Sequence, residues 1–250
     1  MIIGHPGHEI AAYHFAYLYQ PLIYCLTDGS SGNGTSRHQQ CHCKLLDDGL
    51  QGYINIDSVI KESDIYNSIL NKDFEFWEYI ISSLKHMIND VQPEIIAFDA
   101  YEGYSPIHDL LHTCIFRASQ FFCTEHKQTQ LLEIKLTDNH YSSSRNIYIK
   151  NGIEIIHGCN QSIFKKNKYA VFLSKYITEI PCDKRLIKEL SQLSEEYIVT
   201  SHTHSLNEFM FSSIPFYESY AKAKTKQGKY QEAIEFEKHI MPLLKQIIED

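Results

Sequence analysis

The sequence predicts an α/β fold, in which a mostly parallel sheet is flanked by helices, and three observations indicate it. Short apolar runs of strand length alternate with longer segments whose apolar residues recur at helical spacing. This alternation is typical of βαβ units, which place consecutive strands in parallel. Two of the apolar runs end abruptly in polar residues, as strands do at the carboxyl edge of an open sheet. We therefore expect a Rossmann-like sheet with a functional site at that edge.

The predicted elements follow this alternation through the first half of the chain. Strands are predicted at residues 1–4, 21–27, 94–98 and 131–136. Helices are predicted at residues 9–19, 57–89 and 109–122. In the second of these helices, the apolar residues at helical spacing are expected to belong to the core: Phe74, Trp77, Ile80, Ile81 and Leu84.

The second half of the chain departs from the parallel pattern. An apolar segment at 147–156 is broken by Asn-Gly, which is the strongest short signal of a β-hairpin. Because a hairpin does not belong to a parallel core, we expect it at the edge of the sheet. The remaining predicted elements are a helix at 183–196, a strand that begins at 197 and a last helix at 218–248 with an interruption near Gly228.

Composition favours one domain with a substantial core. The chain has 250 residues, and no segment resembles an interdomain linker, so a single domain is expected over 1–250. The formal net charge is −8, and the basic run at 165–168 is interpreted as a solvated turn, so nucleic acid is not an expected partner. No window reaches the apolar length that spans a bilayer, so no membrane span is expected. Seven cysteines at irregular spacing favour a reducing compartment, and we expect a cytoplasmic protein.

The first nine residues place possible metal ligands directly after a strand. His5 and His8 follow the apolar residues 1–4, and their spacing lets both imidazoles face one cation. Pro6 between them restricts the backbone. The alternative is a pair of solvent-facing loop histidines in a chain that has 14 histidines.

A second polar cluster follows the strand predicted at 94–98. It runs from Asp99 to His108, next to the start of the helix predicted from Asp109. Because the ends of neighbouring strands meet at one edge of a sheet, His108 is expected beside the first cluster. The three histidines then form a plausible metal site.

The two clusters resemble the sequence boxes of the PIG-L or LmbE-like family of zinc-dependent de-N-acetylases. The opening His-Pro-Gly-His-Glu at 5–9 resembles the family's H-P-D-D-E box, and the segment 101–109 resembles its later P-D-H box, which often follows a tyrosine, a glutamate and a glycine. Residues 27–30, with Ser36 and Arg37, resemble the segment that the family places after its second strand. The resemblance runs in order over most of the chain and implies an LmbE-like α/β domain.

The resemblance implies that His5, His8 and His108 bind Zn²⁺. His8 stands where the family has a ligand aspartate, and imidazole keeps a donor atom there while removing one negative charge. Three histidines plus water is a known catalytic zinc arrangement. Fe²⁺ is the alternative ion that the ligand type leaves open.

Gly7 stands where the family has the aspartate that acts as general base, so that role is open in this chain. Nearby carboxylates are candidates for it: Glu9, Asp28, Asp99 and Glu102. For Glu9 the alternative is a structural carboxylate at a helix start, and for Asp28 it is a turn residue. Slow hydrolysis without a dedicated base is also open, because a metal lowers the pKa of bound water to about 7.

The resemblance implies a metal-dependent hydrolase that removes an N-acyl group, most simply acetyl, from an amino sugar or its nucleotide- or lipid-linked derivative. Oxyanion stabilisation is expected from Ser105, Tyr104 or a late histidine, and Arg37 is expected to pair with a substrate phosphate or else to be an ordinary surface residue. The expected catalytic residues are Glu9, Asp28, Ser105 and His204, and the expected substrate-binding residues are Arg37, Glu102, Tyr104 and His202. Two alternatives are a sugar-binding protein without turnover and a three-histidine iron redox enzyme.

Overall fold

The computed structural model describes residues 1–30, 35–55, 59–125, 129–136, 153–176, 181–200 and 213–249. Within them one sheet contains six strands: β1 (Ile2–Ile3), β2 (Tyr24–Cys25), β3 (Ile95–Asp99), β4 (Gln130–Ile134), β5 (Ile153–His157) and β6 (Glu195–Thr200). Their order across the sheet is β2-β1-β3-β4-β6-β5.

Helices cover the sheet. The α-helices among the described residues are α1 (Tyr13–Tyr19), α2 (His38–Asp47), α3 (Glu62–Asn71), α4 (Phe74–Val91), α5 (Pro106–Glu125), α6 (Asn160–Leu173), α7 (Pro181–Gln192), α8 (Phe216–Lys226) and α9 (Met241–Glu249). A 3-10 turn at His8–Ala12 precedes α1, and a π-helical turn at Phe236–Ile240 precedes α9. None of the described helices combines the length and the apolar character that crossing a membrane requires.

Four neighbouring strands are parallel, which confirms the predicted mostly parallel α/β fold. β1 pairs with β2 and β3, and β3 pairs with β4. Ile2 of β1 is in register with Phe98 of β3, so the chain leaves these two strands at the same edge. That edge receives the polar residues that follow each strand, as the sequence predicts.

The other end of the sheet is antiparallel. β6 runs against both β4 and β5, and β5 is the edge strand. The hairpin predicted at 147–156 stays a prediction, because residues 137–152 lie outside the described part and only its last residues fall on a described strand, β5. Among the described residues β5 pairs with β6, to which it is connected through α6 and α7. The carboxyl end of β6 lies at the edge opposite to the ends of β1 and β3.

Both faces of the sheet are buried. Successive residues of β1 face opposite sides, so Ile2 joins one hydrophobic cluster and Ile3 joins the other. Helices α3, α4, α5 and α9 complete the first cluster, and α1, α2, α6 and α7 complete the second. The predicted core stripe of α4 is confirmed for Trp77 and the aliphatic residues after it. Phe74 is the exception at 38% exposed, because it is the first residue of the helix.

The interpretation of the basic run at 165–168 as a solvated turn is wrong. The run lies inside α6, and Lys166 is fully buried with its Nζ 2.8 Å from Oε1 of Glu196. Lys166 is in phase with the buried residues Tyr169 and Leu173, so a charged residue occupies a core position. The charge of Glu196 on β6 compensates it, and this partner is distant in sequence.

Candidate metal centre

The opening segment turns sharply after β1. The N–H of His8 donates to the carbonyl oxygen of His5 at 3.2 Å, and Gly7 has a left-handed φ of 106°. Only glycine adopts that conformation readily. The turn brings the ring centroids of His5 and His8 to 5.0 Å from each other.

His108 completes a triangle, as the sequence predicts. It is the third residue of α5, and its ring centroid lies 5.0 Å from that of His5 and 4.3 Å from that of His8. One ligand atom from each of the three residues lies within 4.8 Å of the others. His5 and His108 are buried, whereas 17% of the His8 side chain is exposed. The triangle is therefore open to solvent on the His8 side.

Buried carboxylates orient two of the three imidazoles. Nδ1 of His8 lies 2.7 Å from Oδ2 of Asp99, and Nδ1 of His5 lies 2.7 Å from Oε1 of Glu62. Thr27 adds a second contact to Nδ1 of His5, through Oγ1 at 2.9 Å. An Nδ1–H that donates to a carboxylate leaves Nε2 as the lone-pair nitrogen. These rings are thus held in the tautomer that a metal ion needs.

Asp99 is packed tightly against the end of β1. Its Oδ2 also accepts the N–H of Gly4 at 2.8 Å. A Cβ atom at Gly4 would lie 3.2 Å from this oxygen and 3.4 Å from Cδ2 of His108. The absence of a side chain at position 4 therefore lets Asp99 and His108 approach the strand end.

Glu62 is a site residue that the sequence reasoning missed. It begins α3, and its N–H donates to Oδ1 of Asp28 at 3.2 Å. Its side chain reaches back to the opening turn, 57 residues earlier in the chain. A glutamate in the first turn of a helix is common, so the sequence carries no signal that would single out Glu62.

Burial keeps the third imidazole uncharged. Desolvation lowers the pKa of His108 well below its ordinary value, and the neighbouring His8 and His5 lower it further. A neutral imidazole is the form that ligates metals. Three imidazole nitrogens, two of them with a carboxylate behind the ring, could hold a metal ion.

Glu9, a predicted catalytic residue, faces the interior. Its side chain is completely buried, and it accepts hydrogen bonds from the hydroxyls of Tyr53, at 2.8 Å, and Tyr169. Its Oε2 accepts the N–H of Gly7 at 2.9 Å. Burial raises the pKa of Glu9. This environment agrees with the structural alternative considered for it.

Two further predicted carboxylates hold backbone in place. Oδ1 of Asp28 accepts hydrogen bonds from the backbone and hydroxyl of Ser30 and from the N–H of Glu62. Oε2 of Glu102 accepts the N–H of Leu136 at 3.2 Å. Both carboxylates therefore stabilise loops at the site edge of the sheet.

The predicted substrate-binding residues are distributed around the triangle. The half-buried Arg37 donates from Nε to the carbonyl of Pro6 and from Nη1 to that of Gly29, both at 2.9 Å. The ring of Tyr104 lies 6.2 Å from that of His108 and stacks on Phe216 at 5.2 Å. Ser105, also half-buried, follows Tyr104, and its carbonyl accepts the first-turn N–H of Asp109. His202 and His204 lie outside the described residues.

Comparison of the chain with models of protein families, with curated proteins and with solved structures found no match. The resemblance to the de-N-acetylases therefore depends on the two sequence boxes. The evidence for a metal centre is independent of that resemblance, because it consists of the geometry of His5, His8 and His108 and their hydrogen bonds.

Proposed function

We propose that this chain is a metal-dependent hydrolase that removes the N-acyl group, most simply acetyl, from an amino sugar or its nucleotide- or lipid-linked derivative. The observation that carries the proposal is the convergence of three histidines, two of them oriented by buried carboxylates, at the carboxyl edge of a parallel sheet. The substrate class is inferred from the resemblance of the two boxes to the de-N-acetylase family. An LmbE-like domain and a cytoplasmic location are parts of the same proposal.

Electrostatics supports a divalent cation at this centre. The carboxylates of Glu62 and Asp99 are buried and lie directly behind two imidazoles. Two carboxylates in this position would balance the charge of a dication held by the imidazole nitrogens. His8 stands where the resembled family has a ligand aspartate, and Asp99 would supply a negative charge behind it through the contact with Nδ1.

A bound ion of this class polarises an acyl carbonyl and lowers the pKa of water to about 7. The chain's own residues position the substrate. The exposed side of His8 gives access, and the ring of Tyr104 forms a wall beside His108. Arg37 places a positive charge beside the opening turn, which favours a substrate that carries an anionic group.

Proton transfer is where this chain differs most from the family. Gly7 has no side chain, and a Cβ atom there would lie 3.2 Å from Cδ2 of Leu173. The space that the family's base needs is therefore filled by an apolar side chain. We propose that turnover is slow and uses no dedicated base.

Amine release from N-acetylglucosamine and its phosphorylated and nucleotide-linked derivatives tests the proposal. Protein loaded with Zn²⁺ or Fe²⁺ is expected to release free amine, and the His108→Ala variant is expected to release none. Glu133→Gln is a matched control, because Glu133 is a buried carboxylate that contacts a different histidine, His112. If the wild type binds metal and releases no amine from any of these compounds, the hydrolase is excluded and a sugar-binding protein without turnover is favoured.

A further inference from the structure

We propose that Glu9 and Arg37 are positioning residues, which clamp one peptide unit of the opening turn and thereby set the spacing of the two histidines on either side. The proposal rests on the three-histidine metal site within the proposed function. It does not depend on hydrolytic activity.

The clamped unit is the peptide that joins Pro6 to Gly7. Its carbonyl oxygen accepts a hydrogen bond from Nε of Arg37 at 2.9 Å. Its N–H donates to Oε2 of Glu9 at 2.9 Å. A guanidinium thus meets the oxygen end of the peptide dipole, and a carboxyl oxygen meets the hydrogen end, so the peptide plane is fixed from both sides.

This peptide lies midway between two ligands. Rotation of its plane changes the ψ angle of Pro6 and the φ angle of Gly7, and so moves His8 relative to His5. The φ of Gly7 is 106°, in a region where glycine has few restrictions of its own. The conformation of the turn therefore depends on groups outside it.

Both side chains of the clamp are themselves anchored. Glu9 is fully buried, and its Oε1 accepts from the hydroxyls of Tyr53 and of Tyr169 on α6. Arg37 immediately precedes α2, and its Nη1 donates to the carbonyl oxygen of Gly29 at 2.9 Å. The opening turn is thus tied to α6 on one side and to the start of α2 on the other.

Hydrogen exchange of the Gly7 amide tests the clamp without metal. In protein treated with a chelator, Glu9→Met, which has no oxygen to accept the Gly7 N–H, and Arg37→Lys are each expected to exchange this amide faster than the wild type. Arg37→Lys keeps the positive charge and loses the Nε and Nη1 geometry, so it separates clamping from simple charge attraction. The matched control is Asp48→Asn, which alters another buried carboxylate, one that accepts from Tyr13. It is expected to leave Gly7 exchange unchanged.

Zinc affinity, measured by chelator competition, gives the second readout. Glu9→Met and Arg37→Lys are each expected to weaken zinc binding about tenfold, which is at the low end of the effect of residues that orient metal ligands. Because both act on one peptide, the loss in the double variant is expected to be smaller than the product of the single losses. Wild-type affinity and wild-type Gly7 exchange in both single variants would overturn the clamp. If wild-type protein binds no zinc, the metal site fails, and Gly7 exchange still decides the clamp.

Discussion

Nδ1 of His8 and Oδ2 of Asp99 lie 2.7 Å apart, although 91 positions separate the two residues in the sequence. The contact joins the turn after β1 to the last residue of β3. It gives His8 a fixed ring orientation and an adjacent negative charge. The pair thus places a carboxylate directly behind one of the three imidazoles that could hold a metal ion.

Removal of the Asp99 charge should weaken metal binding. Asp99→Asn is expected to lower zinc affinity by about 10- to 100-fold, because the amide holds the His8 ring less well and supplies no charge. Chelator competition measures the effect. Glu133→Gln, which alters the carboxylate beside His112, is the control and should keep wild-type affinity. Equal affinity in Asp99→Asn and the control would contradict the role of Asp99.

The buried Lys166 should matter for folding and not for the metal centre. Lys166→Met leaves Glu196 buried without its cation, so we expect a loss of about 3–5 kcal/mol in the free energy of unfolding. Urea denaturation measures this loss. Lys168→Met changes an exposed residue of the same helix and should stay within about 0.5 kcal/mol of the wild type. Similar stabilities of the two variants would show that the ion pair contributes little.

Installation of the family's aspartate should be unfavourable here. Gly7→Asp combines a φ of 106° with the contact to Leu173, so we expect a loss of about 1–3 kcal/mol in stability. Gly228→Asp is the matched control, because Gly228 has a φ of 70° and would meet no atom within 4 Å. Each variant is compared with the wild type by urea denaturation, and the extra loss of unfolding free energy in Gly7→Asp is assigned to the contact with Leu173. If Gly7→Asp is no less stable than the control, Leu173 does not limit the space at position 7.

Acid should destabilise the fold partly through His38. Burial, together with the nearby His42, lowers the pKa of this residue from 6.5 to about 4, although Asp28 opposes the shift. Between these pH values the unfolded chain binds more protons than the folded chain, so the free energy of unfolding falls as the pH falls from 6.5 to 4.

A His38→Gln variant tests this pH dependence. Its urea midpoint, measured on metal-free protein, should fall less than that of the wild type between pH 6.5 and pH 4. Parallel decreases in the two proteins would show that His38 is not responsible.

The local parts of the site could be predicted from the sequence. His5 and His8 lie in the turn after β1, and His108 lies at the start of α5, after the polar segment that follows β3. Short apolar runs with abrupt polar ends indicate both places in the sequence. The parallel direction of β1 to β4 could also be predicted, because strands alternate with helices along this part of the chain.

The parts that depend on tertiary contacts could not be predicted. Glu62 reaches His5 only because α3 begins beside the opening turn, and no periodicity marks such a contact. The buried position of Lys166 could not be recognised either, because Glu196, which compensates its charge, lies on β6. The antiparallel direction of β6 was equally invisible in its residue pattern, since strands of either direction show the same apolar runs.

Metal content tests the central claim most directly. Purified protein that has been saturated with Zn²⁺ and desalted should retain one ion per chain by elemental analysis. The His5→Ala, His8→Ala and His108→Ala variants, if they show wild-type circular dichroism, should each retain much less. A wild type without stoichiometric metal, or three folded variants that keep it, would contradict the account.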